Sequence, residues 1–188
     1  MTDSASLPVR REESVLLVVD LQERLLPAME GHEAVLKFSQ RLVEAAVRLA
    51  VPVISTEQYP KGLGPTVAPL AAHLGHAKRF EKLAFSCCGA EGLMEHLRSL
   101  GRSQVVVVGI ETHVCVEQTV LDLLSAGLRV YVAADAVSSR RPLDRSVALD
   151  LMRQAGAAIT TTEAVTFQWL GVAGTSEFKD VSRLVRDL

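Results

Sequence analysis

Apolar residues fall along this chain in two rhythms. Residues 15–19 (VLLVV) and 105–108 (VVVV) are unbroken apolar runs, the pattern of central parallel strands covered on both faces. Residues 51–55 (VPVIS) predict another strand, with Pro52 tolerable only at its start. Residues 77–83 (AKRFEKL) predict a more exposed strand ending near Lys82, residues 128–134 (LRVYVAA) a strand ending at Asp135, and residues 157–160 a short sixth. Between these runs the apolar spacing is helical, as at Val35, Phe38, Leu42, Val43, Ala46 and Leu49 within 32–50. Helices are also predicted over 89–100, closed by Gly101, over 112–126, stopped at Gly127, and over 142–154, with Pro142 in the first turn and Gly156 as the stop. Residues 161–169 and 176–188 are predicted as terminal helices, the latter amphipathic through Phe178, Val181, Leu184 and Val185. The stretch 56–70 carries two glycines and three prolines, which predicts a long irregular loop over a sheet end.

Strand and helix alternate six times without an internal repeat. This predicts an α/β fold, a doubly wound three-layer α/β/α sandwich around a six-stranded, mostly parallel sheet. In such folds ligands sit beyond the carboxyl ends of the strands, where strand order reverses. The length of 188 residues and a hydrophobic share of 48% suit one domain over 1–188, with 1–13 expected as a flexible polar leader.

Charge narrows the function. A formal net charge of -2 offers no basic face to a phosphate backbone, and no Lys/Arg run points to an anionic membrane. No apolar run reaches the ~20 residues of a spanning helix. The expectation is a soluble cytoplasmic protein with neither nucleic acid nor membrane as partner. Three cysteines, two of them the neighbours Cys87 and Cys88, make a disulfide framework a poor reading, and no Cys/His cluster has the spacing of a metal site. No metal and no cofactor are expected.

The candidate chemistry gathers at strand ends. Cys115 lies six residues after Gly109, where a new helical pattern begins. A thiol in the first turn of a helix meets the positive end of the dipole, which favours thiolate. Taken alone, Cys115 is equally a small buried hydrophobe packed under the helix. Asp20 ends the first strand and Lys82 the third. A thiol hydrolase needs a base to take the thiol proton and a cation to hold the resulting charge, and these two residues supply both. Each singly has a plainer reading, Asp20 as a turn former and Lys82 as a solvated edge charge. Backbone N–H groups between Ile110 and Cys115 are placed to receive an oxyanion.

Three stretches, LLVVDLQERL, FEKLAFSC and GIETHVCVEQTVLDLLSAGLRVYVAADAVSSR, carry a resemblance to the isochorismatase-like hydrolases, the cysteine hydrolase superfamily with a Rossmann-like fold. The resemblance covers nearly the whole chain. It implies a triad of Asp20, Lys82 and Cys115, a cis Ile110–Glu111 peptide, and an oxyanion hole from the backbone amides of Glu111 and Cys115. Nicotinamidases of this superfamily bind a divalent metal through an Asp and two His after the second strand, whereas the loop here has no histidine before His73. True isochorismatases commonly lack the cysteine. The chain is most similar to the uncharacterised isochorismatase-domain hydrolases.

The function expected from the resemblance is hydrolysis of an amide or carbamoyl C–N bond of a small-molecule substrate through a thioester on Cys115. A non-catalytic binding or assembly module and a thiol redox sensor are the alternatives. Substrate contacts are expected from Gln58 and Tyr59 in the long loop, from Phe85, and from Gln22, whose plainer reading is a solvent-facing turn residue. His113 stands two positions before Cys115, too close on a helix to face it, and is expected to line the entrance or an interface rather than act as base. Cys87 and Cys88 are expected to be packing residues, and Asp135 to order a loop or cap the next helix. The family habit implies a homo-oligomer, with Trp169 and Phe178 near a terminal apolar patch.

Overall fold

The computed structural model describes residues 8–186 of the chain. Six strands form one sheet: β1 (Ser14–Val19), β2 (Val53–Gln58), β3 (Lys78–Lys82), β4 (Gln104–Ile110), β5 (Arg129–Ser138) and β6 (Ala158–Thr160). Their spatial order is β3-β2-β1-β4-β5-β6, and every pairing is parallel. The predicted α/β sandwich is therefore borne out, with an all-parallel sheet. The chain reverses its direction of growth between β1 and β4, where Val19 stands opposite Gly109.

The period of two along each strand sorts the core into two layers. Leu16, Val18, Val106 and Val108 face one layer with α1 (His32–Arg48), α7 (Thr162–Leu170) and α8 (Ser176–Arg186), whose Leu42, Trp169 and Val181 are buried there. Val15, Leu17, Val105 and Val107 face the other with α4 (Leu93–Ser99), α5 (Glu117–Ser125) and α6 (Pro142–Gln154), which bury Leu97, Leu123 and Met152. Because both faces are covered, the central strands read as continuous apolar runs rather than alternating ones.

Several boundaries differ from the sequence expectation, each for a physical reason. β2 starts later and runs on through Thr56, Glu57 and Gln58, polar residues that read as loop. All three are buried, because each finds a hydrogen-bonding partner that its own segment does not supply. The proline-rich stretch after it is not wholly irregular: it holds two single-turn helices, α2 (Pro60–Leu63) and α3 (Ala68–Ala71), each with Pro in the first turn where its missing N–H costs nothing. Residues 87–89 form a separate 3₁₀ turn before α4, and residues 112–116 a π-helical turn before α5. β5 continues to Ser138, with its pairing to β4 jumping from Val107↔Val132 to Gly109↔Val137. The looped-out Asp135 accepts hydrogen bonds from Thr162 N and Oγ1, so it caps α7 rather than α6.

Of the expected leader, residues 1–7 lie outside the described residues. Val9 is buried, and its N–H donates to Gln168 Oε1 at 2.7 Å, while Arg10 N donates to Gln104 Oε1 at 2.8 Å. This segment is tied across the bottom of the sheet, not free. The last two residues of the predicted final helix also lie outside the described residues.

Candidate active site

Asp20 follows β1 at φ 50, a left-handed conformation that Asp tolerates better than most residues. The turn lets Gln22 N donate to Asp20 O at 2.8 Å and leaves the carboxylate above the sheet. Opposite it, β4 reaches Gly109 at φ 119. A Cβ there would stand 2.0 Å from the Val19 carbonyl oxygen, so only glycine lets β4 and β1 close at this point. The Ile110–Glu111 peptide that follows is cis. Both Val114 N and Val116 N donate to Glu111 O at 3.1 Å, a wide π-type turn that carries Cys115 to the sheet end.

β3 supplies the cation. It is an edge strand with Phe80 and Lys82 facing inward, and its register sets Lys82 beside Gln58 of β2. Lys82 Nζ lies 2.6 Å from Asp20 Oδ2, with both side chains wholly buried. The other Asp20 oxygen, Oδ1, accepts from Thr56 Oγ1 at 2.7 Å. Nζ also donates to Gln58 Oε1 at 2.7 Å and to the Phe85 carbonyl at 2.9 Å. Thr56, which the sequence reading left out, thus holds the carboxylate from behind. The signal that points to it is its place on the end of a strand whose other end is a core run.

The Cys115 thiol is only 4% exposed and lies in the field of the Asp20 and Lys82 charges. Burial is the largest influence on it and, with the Asp20 charge, pushes its pKa up to about 12, against the opposing pull of Lys82. The pull toward thiolate read from the turn's dipole and from Lys82 is outweighed here by desolvation and the adjacent carboxylate. The resting group is a thiol in the field of a carboxylate. Burial also works to lower the Lys82 pKa, but Asp20 and the neighbouring thiols prevail and hold it above the ordinary range. Cys87 lies beneath, fully buried, 3.5 Å from Thr56 Oγ1 and likewise pushed up to about 12, chiefly by burial. Thr119 ties the two cysteine segments together, donating to Cys115 O at 2.6 Å and accepting from Cys87 N at 2.8 Å.

Two residues expected to touch substrate have other partners. Gln22 is fully buried, neither solvent-facing nor in the cleft: its Oε1 accepts from Gln58 N at 2.8 Å and its Nε2 donates to Gln58 O and Gly64 O. Gln58 directs its side chain at Lys82 and Leu83 O. Tyr59, Leu83 and Phe85 are 51%, 76% and 54% exposed, on the chain that leads away from the Gln58–Lys82 pair. His113 Nδ1 lies 2.9 Å from Ser139 Oγ, and Nε2 lies 3.9 Å from Asp144 Oδ2, so the ring ties the π turn to α6. Among the described residues no cluster of His, Cys, Asp and Glu could hold a metal ion. A cavity of about 390 Å³ between α7 and α8, lined by Glu163, Phe167, Phe178, Lys179 and Arg183, lies away from these groups.

Comparison with known proteins places this geometry in context. An isochorismatase domain model matches residues 14–164. A Xenopus laevis isochorismatase domain-containing protein 2 is 42% identical over 175 residues, covering 93% of this chain and 84% of that protein. A Caenorhabditis elegans structure described as a MAR1 ribonuclease is 41% identical with a TM-score of 0.91, covering 96% of this chain and 93% of that one. The Escherichia coli YcaC gene product, described as an octameric hydrolase of unknown specificity, shares the fold at 22% identity and a TM-score of 0.86 over 96% of each chain.

Proposed function

This chain belongs to the isochorismatase family, and from that premise we propose that it hydrolyses a small amide or carbamoyl C–N bond through a thioester on Cys115. The observation that carries the reading is the wholly buried Asp20–Lys82 pair at 2.6 Å, with the almost fully buried Cys115 thiol in the field of both charges. The thiol's high pKa fits a mechanism in which ionisation and attack are one step. As Sγ adds to the carbonyl carbon, Asp20 takes the thiol proton, and the backbone amides of Glu111 and Cys115 receive the oxyanion. Lys82 stays charged throughout and offsets the negative charge that Asp20 has passed on. Asp20 then protonates the departing nitrogen, the C–N bond breaks, and an acyl thioester remains. Water attacks the thioester with its proton going to Asp20, the acid leaves, and the sulfur regains its proton.

Near-complete burial of the reacting groups favours a small substrate, with Tyr59, Phe85 and His113 as candidates for its approach. Three free thiols suit a reducing, cytoplasmic setting, and no described helix is long and apolar enough to cross a membrane. No step above calls on a cofactor.

The test is a panel of amides, ureido compounds and carbamates, with RNA included because of the C. elegans relative's description. Turnover should disappear in Cys115→Ala, and a slow substrate should leave an acyl mass on Cys115 of the parent. Attack by a ribose hydroxyl needs no thiol. RNA cleavage that survives Cys115→Ala, or acylation spread evenly over Cys87, Cys88 and Cys115, would overturn the proposal.

A further inference from the structure

We propose that Gln58 is a positioning residue that keeps the Lys82 ammonium fixed while Asp20 exchanges protons with Cys115. The inference rests on the thioester reading and assigns Gln58 a role other than substrate contact. An ammonium has three N–H donors and no acceptor. Lys82 Nζ donates to Gln58 Oε1 at 2.7 Å, Phe85 O at 2.9 Å and Ala84 O at 3.4 Å, and lies in ion-pair contact with Asp20 Oδ2 at 2.6 Å. No donor remains for a substrate, so Lys82 acts through its charge alone. When Asp20 takes the thiol proton, the carboxylate turns neutral and its hold on the ammonium weakens. Only neutral acceptors then keep the buried cation in place, and the Gln58 amide is the shortest of them.

The amide is itself pre-set. Its Nε2 donates to Leu83 O at 2.9 Å, so a flip would turn an NH₂ group toward the ammonium and an oxygen toward a carbonyl. The Gln58 backbone is clamped on both sides by the Gln22 side chain, through N at 2.8 Å and O at 3.0 Å. β2–β3 register makes Gln58 and Lys82 direct neighbours, and Tyr59 N donates to Lys82 O at 2.9 Å just beyond them. Gln22, the strand end and the loop after β3 therefore converge on one lysine nitrogen. The amide is also neutral. A carboxylate at this position would keep an acceptor for Lys82 but add a negative charge beside Asp20, which opposes thiolate formation.

The experiment reads thiolate formation directly and needs no known substrate. Alkylation of Cys115 by iodoacetamide is followed across pH by mass spectrometry resolved to each cysteine, in the parent, Gln58→Met, Gln58→Glu and Asp20→Asn. Thermal melts confirm that each protein is folded. Gln58→Met should slow Cys115 alkylation at neutral pH about tenfold, the scale of one lost hydrogen bond to a charged group. Gln58→Glu, the same size and shape, should move the profile upward by about one pH unit. A purely structural Gln58 would lower the melting temperature without moving the profile. Profiles of both Gln58 variants that overlay the parent, while Asp20→Asn shifts, overturn the positioning role alone. An Asp20→Asn profile that overlays the parent overturns the thioester reading and this inference with it. Should Gln58→Met fail to fold, the isosteric Gln58→Glu decides.

Discussion

Asp20 is where one residue's environment has most to do. Its two oxygens face a hydroxyl and an ammonium, and the thiol above it is held protonated by burial and by that same negative charge. A thiol pKa of about 12 in the folded protein has a consequence away from any substrate. The unfolded thiol titrates near 8.5, so between roughly that pH and about 12 the native state binds the proton that the unfolded state has lost. Cys87 has the same displacement. The stabilisation is complete below the unfolded pKa and is lost as pH rises through the folded one. Unfolding free energy measured in urea from pH 7.5 to 11 should therefore fall with pH, and the slope should be shallower in Cys87→Ala/Cys115→Ala. Equal slopes in parent and double variant would contradict the buried-thiol account.

Among the elements, β4 makes the sharpest demand on its sequence. Four valines pack both faces, and then Gly109 must adopt φ 119 against the Val19 carbonyl. Gly109→Ala meets both a forbidden backbone region and a backbone clash that no flexible side chain can relieve. A loss of about 3 kcal/mol in urea unfolding is expected. Because β1 and β4 part just beyond this point, the change should also slow Cys115 alkylation relative to Cys88. A stability change under about 0.5 kcal/mol, the size of an ordinary surface substitution, would mean that the strands close by some other means. β2 shows the opposite case. Thr56, Glu57 and Gln58 look like loop because local pattern sees only polarity, yet each is satisfied by a distant partner: Thr56 by Asp20, Glu57 by Thr66 at 2.7 and 2.8 Å, Gln58 by Lys82.

At the scale of the whole molecule, α6 presents Leu143, Val147 and Leu151 to solvent at a spacing of four. Ion pairs flank the stripe at both ends, Arg141–Asp144 and Asp150–Arg153. We propose homo-oligomerisation through this face. Two copies of the stripe, crossed about Val147, would set the acid and base of one end against those of the other. Light scattering should return a mass above that of one chain, and Val147→Asp should lower it. A monomer in both, at micromolar concentration, would refute the interface.

The apolar rhythm by itself determined the layers, the strand and helix order, and the placement of Asp20, Lys82 and Cys115 at strand ends. Hydrophobic periodicity is local and dictates which face of each element is covered. What the tertiary structure alone decided is the state and company of those residues. Strand order 3-2-1-4-5-6 and the β2–β3 register bring the Thr56 hydroxyl onto Asp20 and the Gln58 amide onto Lys82 from positions tens of residues away. Burial beneath α5 and α6 then decides that the sulfur rests as a thiol. Both are properties of the surroundings of a group, and no stretch of chain carries its own surroundings.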